Sequence, residues 1–421
     1  MLTATIFLIA FFSACVFALV RHPIYGLSAY VAAYFIHPPV RWWSYAVPDL
    51  RWSFLAGVVT LIAVVIHRDK LPSRPLHQNA VFVGLVLFVA WLSIQSLWAL
   101  DQDMHRKLLE YYVKFAIAVG LIYKSVENES HLKLLLWVHL VGCFYFGWNA
   151  FFLFDGGRFE RFGGPGFDDA NAAGLQAVAA ILVAAGLFLV GNFRERVAIV
   201  LLVPFVVNGL VTSVSRSSFL AFLVGGTVFV LFGPRKYRIP VIAIGAIGLL
   251  GFSTLTHDAY WERMSTIKYA GQQVEGAETG AGRIVVWEAQ LKMFSKYPMG
   301  CGHRCTATLS PAYLDERYLT GLPGNRARSS HNTYLTLLVE QGVVGGVFAL
   351  LFVLWLIRSA LKMKKQVPRH EETLLCVYPT VIAILFAILA ADVFVDYLRM
   401  EIRMWYVALL LVIVKLTRQP V

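Results

Sequence analysis

Apolar runs long enough to cross a bilayer recur from one end of this chain to the other. They fall near residues 2–20, 24–39, 52–66, 79–100, 107–124, 131–154, 171–191, 195–212, 217–233, 239–256, 332–357, 373–393 and 402–417. A hydrocarbon layer offers the backbone no water, so each run must satisfy its own N–H and C=O groups as a helix. The chain has 421 residues, 58% hydrophobic and only 15% charged, with a mean hydropathy of +0.65. That is too little polar surface to cover a soluble protein of this length. The expectation is an all-α polytopic membrane protein with about twelve or thirteen spans, folded as a single integral domain over residues 1–421. The second run is short and ends at Pro38-Pro39, which suits a tilted or re-entrant piece. The first, Leu2 to Val20, lacks the basic start of a signal peptide and is followed by further runs, so it reads as a membrane helix.

Basic residues sort the loops into two faces. Arg68, Lys70 and Arg74 mark one face, and Arg194 with Arg196 falls on it two loops later. Arg235, Lys236 and Arg238 follow, then Arg358, Lys362, Lys364, Lys365 and Arg369, then Lys415 and Arg418. An even number of spans separates each cluster from the next, which makes this the expected cytoplasmic face. The net charge of +12 is therefore read as topology and anionic lipid contact, with no nucleic-acid partner. On the opposite face lies one large loop, residues 256–331, expected to be periplasmic. Cys15, Cys143 and Cys376 lie in apolar runs as small core residues, whereas Cys301 and Cys305 share the large loop, where an oxidising compartment can join them. His303 between them invites a metal reading, but no fourth ligand is evident.

Chemistry concentrates on that outer face. Arg216 sits in Ser213-Val214-Ser215-Arg216-Ser217-Ser218, a very short polar turn between two apolar runs. An arginine there must face water, a partner or an anion; it is either a snorkelling anchor or, with four serines around it, part of a phosphate site. Arg283 opens a segment in which Ile284, Trp287, Leu291 and Phe294 recur at helical spacing. This predicts an amphipathic helix on the membrane surface, ended by Pro298, Gly300 and Gly302. Its N-terminal cation suits an anion or a salt bridge to Glu288 or another loop acid. Arg158 and Arg161 lie in a Gly-rich stretch before Asn171, which is expected to cap the following helix; the stretch is a loop folded over a site or a solvated turn. Finally, His331-Asn332 closes the loop, followed after nine residues by Gly342-Val343-Val344-Gly345. A histidine at a helix start serves as a cap or interface residue, but here Ser329, Ser330, Asn332, Thr333 and Tyr334 surround it, more polar groups than capping needs. Glu340 falls two turns further on, inside the apolar run, where it needs a partner.

The His-Asn, nine-residue gap and paired-glycine pattern resembles the signature of bacterial O-antigen ligases, whose superfamily includes O-antigen polymerases and protein O-oligosaccharyltransferases. The likeness covers most of the chain, including the Arg216 turn, the Arg283-to-Gly302 segment and the helix after His331. The N-terminal part, Arg21-His22-Pro23 through Trp42-Trp43, is similar to exosortase-associated O-glycosylation ligases. The resemblance implies glycosyl transfer, independent of metal or other cofactor, at the periplasmic face of the bacterial inner membrane. The implied donor is a glycan on undecaprenyl diphosphate and the implied acceptor a sugar of the lipid A core. His331 takes the position of the family's essential histidine, and Arg216 and Arg283 those of its diphosphate-binding arginines. Arg158, Arg161, Asn332 and Tyr334 are further candidate substrate contacts. Direct displacement at the anomeric carbon would invert it. A polymerase or protein-directed ligase would use the same donor. A transporter would instead show internal repeats and ionisable groups within several spans, whereas the arginines here gather at one face.

Overall fold

A computed structural model describes residues 2–71, 75–159, 167, 169–243, 245, 256, 261, 265, 281–321, 326–368 and 371–417. It is all-α. The helices are α1 (Leu2–Val20), α2 (Ile24–Ile36), α3 (Trp52–Ile66), α4 (Ala80–Gln95), α5 (Gln102–Ser125), α6 (Glu129–Leu153), α7 (Ala170–Val190), α8 (Phe193–Thr212) and α9 (Arg216–Phe232). After the large loop begins come α10 (Ala281–Lys296), α11 (Cys305–Tyr313), α12 (Thr333–Glu340), α13 (Gly342–Gln366), α14 (Glu372–Ala391) and α15 (Glu401–Leu416). Among the described residues six helices are long and apolar enough to cross a membrane, namely α1, α6, α7, α8, α13 and α14, and α3, α4 and α9 are shorter apolar helices. The protein is a polytopic membrane protein. The expected run at 239–256 lies mostly outside the described residues.

Burial sorts these helices by place. In α7 and α14 residues are buried around nearly the whole circumference, so both stand at the centre of the bundle. Alanine and glycine make this possible, because small side chains let helix backbones approach where lipid supplies no hydrophobic drive. A Cβ on Gly225 of α9 would meet Leu182 of α7 at 2.8 Å and Ala387 of α14 at 3.1 Å. Conversely, α13 turns Val347, Leu350, Leu351 and Leu354 outward. Helices α1 to α3 form an outlying group with its own core of Phe7, Phe11, Trp43 and Trp52, joined to the bundle as α2 packs on α6. Outside the bundle, α10, α11 and α12 enclose a small separate core of Val286, Ala289, Met293, Leu314 and Val339.

One sequence expectation is corrected here and another is refined. The apolar run 332–357 is not one helix: α12 ends at Glu340, Gln341 and Gly342 make the joint, and α13 begins anew. Helix α10 forms where expected, but it packs on the protein through Val286, Ala289, Gln290 and Met293, while Ile284 and Leu291 of the expected stripe face outward.

Candidate active site

Two clusters meet at one end of the bundle. The first is the serine turn. Ser213 closes α8 by donating to the Leu210 carbonyl at 2.6 Å, and Ser215 caps α9 by accepting the Ser218 amide at 3.2 Å. Between them Val214 has φ 46°, a left-handed conformation that a β-branched residue adopts only under constraint. Arg216 is thereby fixed as the first residue of α9. Helix α7 touches this turn through Gly174, where a Cβ would stand 2.6 Å from both Ser213 Oγ and Ser218 Oγ. The cap of α7 is Asp169, whose Oδ1 accepts the Asn171 and Ala172 amides, and not Asn171 as the sequence suggested. A carboxylate two residues upstream frees the Asn171 side chain for other work. Its Oδ1 accepts the Ser215 hydroxyl at 2.9 Å and Arg158 Nη2 at 3.0 Å, and Arg158 Nε donates to the Ser213 carbonyl at 3.3 Å. Arg158 thus braces the loop against the turn that carries Arg216. Arg161 lies outside the described residues.

The second cluster surrounds His331. This residue also has positive φ, 49°, and is partly exposed, with its Nε2 3.5 Å from Ser329 Oγ. A strained, half-open histidine between buried neighbours is the kind of conformation that persists only where its surroundings enforce it. The enforcement is visible. Trp287 of α10 donates its indole N–H to the Ser330 carbonyl at 3.2 Å, and Ser330 Oγ accepts the Asn332 amide at 2.8 Å. Asn332 caps α12 by accepting the Leu335 amide at 3.0 Å. Thr333 donates its amide to the Asp392 carbonyl and its hydroxyl to the Val395 carbonyl, at 2.8 and 2.7 Å. Tyr334 donates its hydroxyl to the Leu389 carbonyl at 2.8 Å. Arg283, one turn before Trp287, extends Nη1 to within 3.5 Å of the Phe394 carbonyl. Arg283 and His331 therefore belong to one cluster, tied together by the 392–397 segment.

Tyr397 joins the two clusters. Its amide donates to Thr333 Oγ1 at 3.0 Å. Burial pushes its phenol well up, the charges of Asp169 and Asp392 add to this, and Arg158 opposes it. Asp169 and Arg158, beside the serine turn, thus act on a tyrosine that is bonded to the His331 segment. Asp392 sits just past the end of α14 and is gripped by Arg403 at 2.7 and 2.8 Å. Sequence reading gave Tyr397 and Arg403 no role; the signal available was an acid and an arginine at the ends of consecutive apolar runs, each needing a partner.

The expected position of Glu340 is corrected. It ends α12 rather than lying within a span, and it is 2% exposed. Its carboxylate is bonded to His303 Nδ1 at 2.8 Å and accepts the Thr306 hydroxyl at 2.7 Å. His303 is held in place because Cys301 and Cys305 form a disulfide around it, so neither sulfur is a free ligand beside that imidazole. The paired glycines explain themselves at the same joint. Residues 298–302 cross the α12–α13 break in close contact: the Val343 amide donates to the Pro298 carbonyl and the Gly302 amide to the Glu340 carbonyl, both at 2.9 Å. Gly342 has φ 70°, and a Cβ there would lie 2.3 Å from the Met299 carbonyl carbon.

From this end an apolar groove of about 820 Å³ runs down the bundle. Thr333, Tyr334 and Arg403 line its upper part, Phe352 and Trp355 line α13, and Arg358 marks the far end, among the expected cytoplasmic residues. Its lining is mostly apolar, which suits a hydrocarbon chain better than a polar solute.

Residues 201–350 match the family model described as O-antigen ligase. This stretch contains the serine turn with Arg216, helix α10 with Arg283, and His331 with the α12–α13 joint. It does not reach the N-terminal segment that carries the second resemblance. No curated protein matches the chain. Over these residues the chain is similar to the O-antigen ligase family, and its helices suit a membrane.

Proposed function

We propose that the protein transfers a glycan from undecaprenyl diphosphate to a lipid A-core sugar at the periplasmic face of a bacterial inner membrane. The observation that carries this reading is the meeting of the Arg283 helix, the His331 segment and residues 392–397 at the mouth of a bundle-length apolar groove. In this reading the groove takes the polyprenyl chain, which leaves the diphosphate at the mouth. Arg216 and Arg283 hold it there, and Arg158 keeps the serine turn in register.

The reaction is one displacement. The acceptor hydroxyl gives its proton to the His331 imidazole as its oxygen bonds the anomeric carbon. The bond from that carbon to the diphosphate oxygen breaks, and the diphosphate leaves with the electron pair. Developing negative charge on the leaving group is met by guanidinium groups that are already in place, which costs no reorganisation in the transition state. Attack opposite the leaving group converts an α-linked donor to a β-linked product.

Purified protein supplied with lipid-linked donor and either lipid A core or a second lipid-linked glycan tests the reading. Transfer to lipid A core alone is expected. Transfer to the second lipid-linked glycan would make the protein a polymerase, transfer only to a protein acceptor would make it a protein-directed ligase, and movement of lipid without a new glycosidic bond would make it a transporter.

A further inference from the structure

At the opposite end of the bundle, His22, Glu127 and His131 come together from three short stretches of chain: the α1–α2 turn, the α5–α6 turn and the first turn of α6. One ligating atom from each lies within 4.8 Å of the others. This end carries the expected cytoplasmic residues: His67 bonds the Leu19 carbonyl at 3.1 Å, and Lys415 Nζ donates to the Tyr123 and Val126 carbonyls, both at 2.6 Å. The cluster is therefore a bundle length away from His331, and the glycan-transfer reading does not use it.

We propose that His22, Glu127 and His131 form a binding site for a divalent transition-metal ion, zinc being the fitting class. Two imidazoles and one carboxylate make up a mixed nitrogen and oxygen donor set that suits such an ion and leaves a position for water. The rings of His22 and His131 stand 4.5 Å apart between centroids, and His22 Nε2 is 3.0 Å from Glu127 Oε2. Glu127 Oε1 is buried and has no hydrogen-bond partner among the described residues, so the carboxylate has an unused donor atom at this place. The His22 and Glu127 side chains are each 21% exposed, open enough for an ion and a water to enter.

Proton accounting sets the terms. The Ile24 amide donates to His22 Nδ1 at 3.1 Å, which puts the proton of the neutral ring on Nε2, facing Glu127. An ion bound at Nε2 needs that proton on Nδ1 instead, so the Ile24 bond is given up while the ring stays neutral. One neutral hydrogen bond is small against metal–ligand bonds. His131 also has partners to exchange, the Ser125 backbone and, at 3.5 Å from its Nδ1, the Glu127 amide. The Lys415 ammonium of α15, which donates to carbonyls of the same turn, opposes an added cation, and the Glu127 carboxylate offsets it. A bound ion would fasten the outlying α1–α2 hairpin, which belongs to a group with its own core, to the α5–α6 hairpin.

The test uses full-length protein in detergent, stripped with chelator and titrated with Zn²⁺ or Co²⁺. About one equivalent per chain is expected, with visible Co²⁺ absorption and a higher thermal midpoint on loading. His22→Ala combined with His131→Ala is expected to lose binding by tenfold or more. Glu127→Gln keeps the shape of the side chain and removes its charge; it is expected to leave the metal-free midpoint unchanged and to weaken binding. Glycan transfer is expected to be unaffected by either change. No binding by the wild-type protein, or wild-type stoichiometry and spectrum in both the double variant and Glu127→Gln, overturns the site.

Discussion

Arg403 holds Asp392 by two parallel bonds, Nη1 to Oδ2 at 2.8 Å and Nη2 to Oδ1 at 2.7 Å, with the carboxylate wholly buried. Asp392 also accepts the Thr333 amide on its carbonyl at 2.8 Å, and its carboxylate lies 3.1 Å from Thr333 Oγ1, two residues past His331. An ion pair between α14 and α15 therefore sets the height at which α12 begins. Removing one partner strands a buried charge, at a cost of about 3–5 kcal/mol. Asp392→Ala is expected to lower the thermal midpoint in detergent accordingly, and Asp392→Asn to lower it less. A midpoint for Asp392→Ala equal to wild type would show that the pair does not hold this end together.

The α12–α13 joint makes a second prediction. Gly342→Ala places a Cβ 2.3 Å from the Met299 carbonyl carbon at a residue with φ 70°, so both strain and overlap apply. Loss of about 2 kcal/mol or more is expected from the conformation and the overpacking together. Gly226→Ala is the control: nothing lies within 4 Å of its Cβ and its helix gains an alanine, so stability is expected to hold or rise slightly. Equal losses at both glycines would count against the joint as a constrained crossing.

How far the sequence could be read follows from these same residues. Runs set by hydropathy came through within a few residues; the expected 52–66 matches Trp52–Ile66 and the expected 217–233 meets Arg216–Phe232. What hydropathy could not show was the break at Gly342, because the apolar pattern continues across it and the cause lies about forty residues earlier, in the chain crossing at 298–302. Arg216, Arg283 and His331 stood out because polar groups at the edge of apolar runs need an explanation. Asp392 and Arg403 drew less notice, since an ion pair joining two helices leaves no local signature. The Asp169 cap was missed for a simpler reason: either Asp169 or Asn171 satisfies the capping preference, and only the Arg158 and Ser215 bonds separate them.

If His331 accepts the acceptor's proton, His331→Ala abolishes transfer while the protein still inserts in membranes and melts as wild type does. Arg216→Ala and Arg283→Ala are expected to reduce turnover by about 10²–10³-fold, the scale for removing a donor to developing charge. Arg216→Lys keeps the charge but not the planar fork, and is expected to remain well below wild type. Turnover by Arg216→Lys equal to wild type would rule out two-pronged recognition at that position.

Asp396 predicts a pH response. Much of the residue is open to solvent, yet enclosure of its carboxyl, together with the nearby Glu340 charge and against the pull of His303, pushes it up to about 6. Its ordinary value lies near 4. A raised carboxyl binds its proton more tightly in the folded state, so the favourable contribution is full below about pH 4 and is lost as pH rises through about 6. Solvent screening holds the effect to a fraction of the roughly 1.4 kcal/mol per unit that full enclosure would give. Asp396→Asn is expected to flatten the fall in thermal midpoint across this window; an unchanged profile would assign it to other groups.

The groove separates binding of the lipid chain from the chemistry at its mouth. Ala349 of α13 lines the groove and belongs to the layer that packs around Phe88 and Tyr112, away from the bonds that hold His331. Ala349→Trp would fill part of the space without touching the diphosphate end. If the polyprenyl chain lies there, this change raises KM for a full-length lipid-linked donor and leaves turnover of a short-chain donor near wild type, because the short chain never reaches the obstruction. Equal effects on both donors would mean that the groove holds something else, such as a structural lipid, and that the donor's tail lies against another side of the bundle.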